Sequence, residues 1–232
     1  LINGLVWMGE EQFMKTQIEE KLAQGFSCIK LKIGAIDFEK ELGLLRFIRQ
    51  NFDAKTIEIR VDANGAFNSN EALSKLNQLN EFELHSIEQP IKANQIQEMK
   101  LLCHQTPFPI ALDEELIGVF ETEDKRKLLE EIQPQYIILK PSLVGGFKGT
   151  LEWISIAESL NIGWWITSAL ESNIGLNAIT QFTFTLNNPM PQGLGTGGLY
   201  TNNFDCPLQI ENGHIQYNVD KQWGISNLGI SI

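Results

Sequence analysis

The sequence alternates short β-rich runs with amphipathic segments along most of its length, and this alternation constrains the fold most strongly. The predicted strands are residues 5–8, 28–33, 57–62, 86–88, 109–113, 136–140, 163–167 and 192–194. One strand and the helix that follows it repeat about every 25 to 30 residues, as in βα units. Eight such strands favour a closed parallel barrel over an open doubly wound sheet, which is the alternative fold. No GxGxxG sequence follows the first strand, which disfavours a dinucleotide-binding protein.

The segments between the strands have helical periodicity. The predicted helices are residues 38–48, 72–79, 96–102, 125–132, 151–160 and 174–184. In the first of these, apolar residues recur every three or four positions from Phe38 to Ile48. Asp37 and Ser69 are the predicted N-caps of two helices. From Tyr200 onward the alternation stops, so we predict a barrel over residues 1–199 and a tail, residues 200–232, that forms a loop or a small strand pair outside it.

Charge and composition exclude several classes of protein. The formal net charge of -11 argues against nucleic acid and anionic membranes as partners. No apolar run approaches the roughly 18 residues of a membrane span. The three cysteines form no CxxC pair and the three histidines no HExxH motif, so we expect reduced thiols in a cytoplasmic protein and no zinc hydrolase. The sequence begins without an initiator Met or a basic signal region, so a domain of a longer protein is expected.

Charged residues interrupt the strand pattern at the C-terminal ends of the strands. In residues 28–33, apolar residues alternate with Lys30 and Lys32, so the two lysines share one face. We expect the apolar side chains to face the helices and the charged ones to face the barrel interior. Five successive strands end in an ionisable residue, in the order Lys32, Asp62, Glu88, Asp113 and Lys140. Catalytic groups of such barrels cluster at this end of the strands, so these residues form the candidate active site.

The order of these residues predicts a metal site that carries out proton chemistry. Three carboxylates that converge without a cation would repel one another, and a hard cation with oxygen ligands, Mg²⁺ by default, removes this repulsion. A buried lysine near another cation has a lowered pKa and can act as a base near neutral pH. The metal can stabilise the negative oxygen that forms when a proton next to a carboxylate is removed.

These residues lie in motifs that resemble the enolase superfamily, in its muconate-lactonising branch. The matching motifs are KLK at 30–32, VDAN at 61–64, EQP at 88–90, DE at 113–114 and LKP at 139–141. Three further segments, NGLVWMG at 3–9, TSALES at 167–172 and GLGT at 193–196, resemble the o-succinylbenzoate synthases of this branch. The resemblance implies an α/β fold of the modified TIM-barrel type, (β/α)7β. It also implies an N-terminal capping domain, which this chain mostly lacks and on which residues 200–232 are expected to pack.

The resemblance further implies a lyase that dehydrates 2-succinyl-6-hydroxy-2,4-cyclohexadiene-1-carboxylate to o-succinylbenzoate in menaquinone biosynthesis. By this resemblance Asp62, Glu88 and Asp113 bind Mg²⁺, for which Mn²⁺ is a possible substitute. Lys32 moves the proton through an enediolate intermediate, Lys140 stabilises the anion by charge and cation–π contact, and Lys30 tunes Lys32 or touches the substrate carboxylate. The implied substrate-binding residues are Asn64, Ser168, Glu171, Ser172, Gly193, Leu194 and Gly195.

Other functions use the same residues. An N-acylamino acid racemase employs both lysines as bases on opposite faces of the substrate, and a dipeptide epimerase of the same branch is a related alternative. A metal-binding barrel without activity would be expected to lack a ligand or a lysine, whereas all five are present. The expected partner is a small anionic carboxylate, and no feature of the sequence specifies an oligomeric state.

Overall fold

The computed structural model describes residues 1–224, and residues 225–232 of the predicted tail lie outside the described part of the chain. One sheet contains seven parallel strands in sequence order. They are β1 (Gly4–Val6), β2 (Cys28–Lys32), β3 (Glu58–Asp62), β4 (Ser86–Glu88), β5 (Ile110–Leu112), β6 (Tyr136–Leu139) and β7 (Gly163–Ile166).

The segment predicted as an eighth strand closes this sheet into a barrel. Gln192 forms a parallel bridge with Ile2 beside β1, and Gly193 forms one with Thr167 just after β7. A segment that pairs with both edges of a sheet leaves no open edge, so the closed barrel is confirmed and the open doubly wound sheet is wrong. Each edge meets this segment at a single residue, so isolated bridges stand where a full strand was predicted.

Within residues 1–224, seven α-helices surround the barrel. They are α1 (Glu11–Ala23), α2 (Phe38–Asn51), α3 (Ser69–Leu79), α4 (Ile96–Gln105), α5 (Thr122–Ile132), α6 (Gly146–Ser159) and α7 (Asn173–Thr185). The six predicted helices are confirmed, most of them with longer ends, and α1 was missed because only Met14 and Ile18 of its residues are buried. Asp37 caps α2 by accepting the Glu39 amide at 3.1 Å, as predicted.

The second predicted helix cap lies one residue away from its assigned position. Asn68 is the N-cap of α3, and Ser69 is the first helical residue. The Asn68 backbone N–H donates to Glu71 Oε1 at 3.4 Å, so this carboxylate binds an amide at the start of the helix. Ser and Asn are both favoured cap residues, so residue type alone does not show which of the two caps α3. The position of Glu71, three residues after Asn68, identifies Asn68 as the cap.

Strand side chains divide between two cores, as the alternation predicts. Residues such as Ile29 and Leu31 pack between the sheet and the helices. Ala111, Ile138 and Trp165 form a separate small cluster on the opposite faces of their strands, inside the barrel. The buried Arg60 guanidinium lies 4.2 Å from the Trp165 ring, and it donates to Glu58 Oε1 at 2.7 Å and to the carbonyl oxygen of residue 191 at 2.9 Å. The part of the barrel interior that contains Arg60 and Trp165 is thus filled by side chains. The five charged residues of the candidate active site lie at the C-terminal ends of the strands.

The tail contains a small strand pair, as predicted. Strands β8 (Leu208–Glu211) and β9 (His214–Tyr217) are antiparallel and separate from the barrel sheet. The Ile2 amide donates to the Gly213 carbonyl at 2.9 Å, so the hairpin packs beside the start of the barrel. Among residues 1–224, every helix is too short or too polar to cross a membrane.

Candidate active site

The structure brings the five predicted ionisable residues to one end of the barrel. Lys32, Asp62 and Glu88 are the last residues of β2, β3 and β4, while Asp113 and Lys140 directly follow β5 and β6. The strand register pairs Lys32 with Asp62 and Asp62 with Glu88, so these three side chains are immediate neighbours. Parallel strands present their C-terminal ends on the same side, which explains the convergence.

Lysine ammonium groups bind the carboxylates of this cluster. Lys30 Nζ lies 2.9 Å from Asp62 Oδ2 and also contacts Glu88 Oε2. Lys32 Nζ lies 2.6 Å from the same Asp62 oxygen, and Lys140 pairs with Asp113 Oδ2. Asp62 is fully buried and Glu88 nearly so, so water screens these pairs little.

The pKa shifts follow from burial and from these pairs. Burial opposes ionisation of Asp62, but Lys30 and Lys32 outweigh it and lower its pKa. Burial and the neighbouring Asp62 raise the pKa of Glu88. Burial acts to lower the pKa of Lys30 and Lys140, but nearby carboxylates raise the pKa of both in the metal-free chain. The lowered lysine pKa predicted from the sequence refers to a lysine beside a bound cation and stays a prediction. The nearest charged neighbours of both lysines are anions, whereas the prediction assumed a cation.

Asp62, Glu88 and Asp113 offer carboxylate oxygens, which are the ligand atoms that a hard cation prefers. Both carboxylate oxygens of Glu88 are buried without a hydrogen-bond partner in the described part of the chain, although the Lys30 ammonium lies beside one of them. Buried carboxylate oxygens of this kind favour a cation over an apolar neighbour. Within residues 1–224, no three acidic, His or Cys side chains are arranged as a ligand set. Asp62 and Asp113 instead face lysines, so a cation would have to compete with ammonium groups.

A cavity of about 250 Å³ opens above the ionisable cluster. Its volume suits a small molecule rather than a macromolecule. Lys32 and Lys140 both line it from β2 and β6, on opposite sides of the closed barrel. A ligand in the cavity therefore has one lysine on each side. The other lining residues are Asn3, Leu5, Trp7, Lys30, Glu88, Leu143, Thr167, Ser168, Ala169, Leu170, Gly193, Gly195 and Thr196.

Comparison with known proteins assigns the family. Residues 14–226 match the family described as enolase C-terminal domain-like. The chain belongs to this family. This finding confirms the superfamily that the motifs at the strand ends indicated.

Two relatives of this enolase-family chain are similar over almost all of it. It is 57% identical over 212 residues to an o-succinylbenzoate synthase of Desulfotalea psychrophila, with 91% of this chain and 57% of the relative covered. The crystal structure of MenC from the same organism superposes with a TM-score of 0.86 at 55% identity, covering 92% of this chain and 59% of that one. The chain thus spans somewhat more than half the length of these relatives.

A third relative has a different name. An N-succinylamino acid racemase of Thermus thermophilus is 33% identical over 159 residues, covering 68% of this chain and 40% of the racemase. One relative of this chain is therefore named for racemisation, the alternative to dehydration.

Three of the seven predicted substrate-binding residues of this enolase-family barrel line the cavity. Ser168, Gly193 and Gly195 do so, and Ser168 Oγ lies 2.6 Å from Thr196 Oγ1. A Cβ atom at Gly193 would lie 2.2 Å from Thr167 Oγ1, so only glycine fits where the closing segment meets the residue after β7. The predicted glycine is therefore needed for the close approach of two segments at the cavity wall.

The other four residues have different surroundings. The Leu194 side chain is buried in the hydrophobic core, and substrate contact through the backbone of residues 193–195 stays a prediction. Asn64 accepts from Lys32 Nζ at 2.6 Å and donates to Glu114 at 2.8 Å, so it contacts the expected base directly. Both carboxylate oxygens of Glu171 accept the Ala169 amide, which organises the loop after β7. Ser172 is the N-cap residue of α7.

Sequence reasoning missed part of the cavity wall. Leu5 and Trp7 were quoted only as part of a resembling segment, yet both line the cavity together with Asn3. Their spacing of two residues was a usable signal, since residues two apart in a strand share a face. Thr196 and Leu170 come from loops, where no periodicity indicates which side chains face inward.

Proposed function

We propose that this chain supplies the catalytic barrel of an o-succinylbenzoate synthase. The reaction is the dehydration of 2-succinyl-6-hydroxy-2,4-cyclohexadiene-1-carboxylate to o-succinylbenzoate in menaquinone biosynthesis. One observation carries the proposal: two lysines on opposite sides of a small cavity, above three buried carboxylates, in a chain 57% identical to a relative of that name. The small anionic substrate fits the two lysine ammonium groups that face the cavity.

Asp62, Glu88 and Asp113 are the residues that would hold Mg²⁺, with Mn²⁺ as a substitute. The buried Glu88 carboxylate, of which only one oxygen contacts an ammonium group within residues 1–224, and the oxygen-only donor set support this assignment. A bound divalent cation would neutralise the carboxylates and stabilise the negative charge that develops on the substrate carboxylate during proton removal.

Lys32 is the proposed base. Its ammonium nitrogen lies 2.6 Å from both Asp62 Oδ2 and Asn64 Oδ1, and the side chain lines the cavity, so the nitrogen is held at the cavity floor. In its neutral form Lys32 takes the proton next to the substrate carboxylate. It then returns this proton to the departing ring hydroxyl, so that one water leaves and the ring becomes aromatic. Lys140, on the opposite side, remains charged and stabilises the anionic ring. Lys30, behind the cavity floor, positions Asp62 and Glu88.

One observation favours a second candidate function, the racemisation or epimerisation of an N-acylated amino acid. Such a reaction needs a base on each face of the substrate, and Lys32 and Lys140 provide groups on both sides of the cavity. The similarity to an N-succinylamino acid racemase is consistent with it. The lower identity of that relative, 33% against 57%, makes dehydration the preferred function.

We also propose that the barrel extends over residues 1–199 and that the tail, residues 200–232, packs against a capping domain carried by the full-length protein. Ile210, Tyr217 and Val219 are exposed apolar residues of the tail, which supports a packing role. The isolated barrel is then expected to bind metal but to turn substrate over slowly, because the cavity mouth is not covered.

A substitution of Lys32 tests the main proposal. Lys32→Arg in the full-length protein keeps the positive charge, but a guanidinium does not release its proton near neutral pH. Dehydration measured by absorbance should fall about 100- to 10,000-fold, the usual contribution of a general base. Lys148→Arg is the matched control, because the Lys148 side chain is 91% exposed on α6. Turnover by the Lys32 variant within tenfold of the wild type would contradict the role of Lys32.

Hydrogen exchange in D₂O separates the two functions. Lys140→Ala should lose racemisation of an N-succinylamino acid, yet still exchange the α-proton of one enantiomer if Lys32 acts as a base on one face. A dedicated synthase shows no such exchange in the wild type or the variant. A racemisation rate tenfold above the dehydration rate would favour the second candidate.

A further inference from the structure

Gln89 follows one proposed cation ligand, Glu88, bonds to the backbone amide of another, Asp113, and is not explained by the proposed reaction. Its side chain is fully buried, and its backbone has a φ of 38°. This left-handed conformation is uncommon for a residue with a side chain and persists only where the surroundings hold it. The surroundings of Gln89 are therefore expected to include strong local interactions.

The Gln89 side chain uses all of its hydrogen-bonding capacity. Its Oε1 atom accepts from the backbone amides of Asp113 at 3.2 Å and Glu115 at 3.3 Å. Its Nε2 atom donates to the Ile91 carbonyl at 3.0 Å and to Glu115 Oε2 at 3.1 Å. Two donors face the oxygen and two acceptors face the nitrogen, so the amide fits in only one orientation.

The Gln89 backbone bonds to the same neighbourhood. Its amide donates to the Ala111 carbonyl at 2.9 Å, and its carbonyl accepts from the Gly65 amide at 2.7 Å. One residue thus joins the loop after β3, the end of β4 and the turn after β5. Asp62 is the last residue of β3, directly before that loop, Glu88 is the last residue of β4, and Asp113 begins the turn after β5.

We propose that Gln89 is a positioning residue that sets the spacing of Glu88 and Asp113 and thereby the affinity of the site for a divalent cation. The inference rests on the proposed function, because it takes these carboxylates as the cation ligands. Gln89 Oε1 accepts from two backbone amides of the turn that begins at Asp113. The direction of the Asp113 side chain therefore depends on these two hydrogen bonds. The nearly buried Glu115 carboxylate supports the arrangement from behind, since its other oxygen accepts the Asn94 amide at 2.8 Å.

Two substitutions of Gln89 in the full-length protein test the proposal. Gln89→Met removes all four side-chain bonds. Gln89→Glu keeps the size and the two accepted bonds, but it loses both donors and places a carboxylate against Glu115. Mutating a residue that supports metal ligands usually weakens metal binding by about 10- to 100-fold. Both variants should therefore bind Mg²⁺ at least tenfold more weakly than the wild type in calorimetry.

A matched control separates this role from general destabilisation. Gln135 also bridges backbone groups, accepting from the Ile110 amide at 2.9 Å and donating to the Cys103 carbonyl at 3.1 Å. It precedes β6 and lies at the N-terminal ends of the strands, away from the cavity. Gln135→Met should lower the melting temperature but leave Mg²⁺ affinity within twofold of the wild type.

A paired substitution adds a rescue. Combining Gln89→Glu with Glu115→Gln restores a donor and an acceptor between these positions and should recover part of the lost Mg²⁺ affinity. If Gln89→Met does not fold, the isosteric Gln89→Glu variant and its rescue decide the question. Wild-type affinity in the Gln89→Glu variant, or an equal loss in Gln135→Met, overturns the role of Gln89. A wild-type protein that binds no Mg²⁺ overturns the proposed function itself and the inference with it.

Discussion

Replacing Lys30 with methionine should reveal how the protein neutralises its buried carboxylates. The Lys30 ammonium lies 2.9 Å from Asp62 Oδ2 and contacts Glu88, and its side chain is 9% exposed. Lys30→Met keeps a flexible apolar stem of similar length, so the variant loses the charge with little loss of packing. Asp62 retains Lys32 at 2.6 Å, whereas Glu88 loses the one ion pair that it makes within residues 1–224.

The expected loss of stability follows from this geometry. Removing one partner of a buried ion pair typically costs about 3–5 kcal/mol, because the other charge is left without compensation. The retained Lys32 limits the cost at Asp62, so we expect about 3 kcal/mol for the protein without metal. Saturating Mg²⁺ should reduce this loss, because the cation supplies the positive charge that the variant lacks.

Urea unfolding followed by circular dichroism measures both effects. Lys100→Met is the control, since Lys100 pairs with Glu131 at 2.8 Å, both side chains are more than a third exposed, and the pair should contribute less than about 1 kcal/mol. The reasoning fails if Lys30→Met costs no more than this control without metal. It also fails if the loss is the same with and without Mg²⁺.

Three further predictions concern stability and burial. Arg60→Met should lower the free energy of unfolding in urea by about 3 kcal/mol, because a charged hydrogen-bond network and a cation–π contact are lost; a change below about 1 kcal/mol would contradict this. Gly43→Ala should stabilise helix α2 by up to about 1 kcal/mol, since nothing lies within 4 Å of an added Cβ atom. In the same assay Gly149→Ala should destabilise, because its Cβ atom would lie 2.1 Å from the Val144 carbonyl oxygen, and the reverse order would refute the packing argument. A thiol reagent should modify Cys206 first in the native protein, as followed by mass spectrometry, because burial raises the pKa of the other two thiols; equal rates would argue against their burial.

The sequence by itself determined the βα repeat and the identity of the five charged strand ends. Both depend on local rules: residues two apart in a strand share a face, and parallel strands end on one side of a sheet. The five charged residues at the strand ends, the first of which is Lys32 and the last Lys140, are therefore predictable without knowing which of them are in contact. Helix α1 escaped prediction because its buried stripe, Met14 and Ile18, is too narrow to give a clear period.

Only the tertiary structure decided which groups meet. The bridges of Gln192 and Gly193 to opposite edges of the sheet close the barrel, and closure places Trp7 beside residues almost two hundred positions away. The pairing of Lys30 with Glu88 and the bonds of Gln89 to the turn after β5 depend on the stagger between neighbouring strands. Periodicity specifies the face on which a side chain lies, whereas its partner is set by the register and curvature of the whole sheet, which no local pattern encodes.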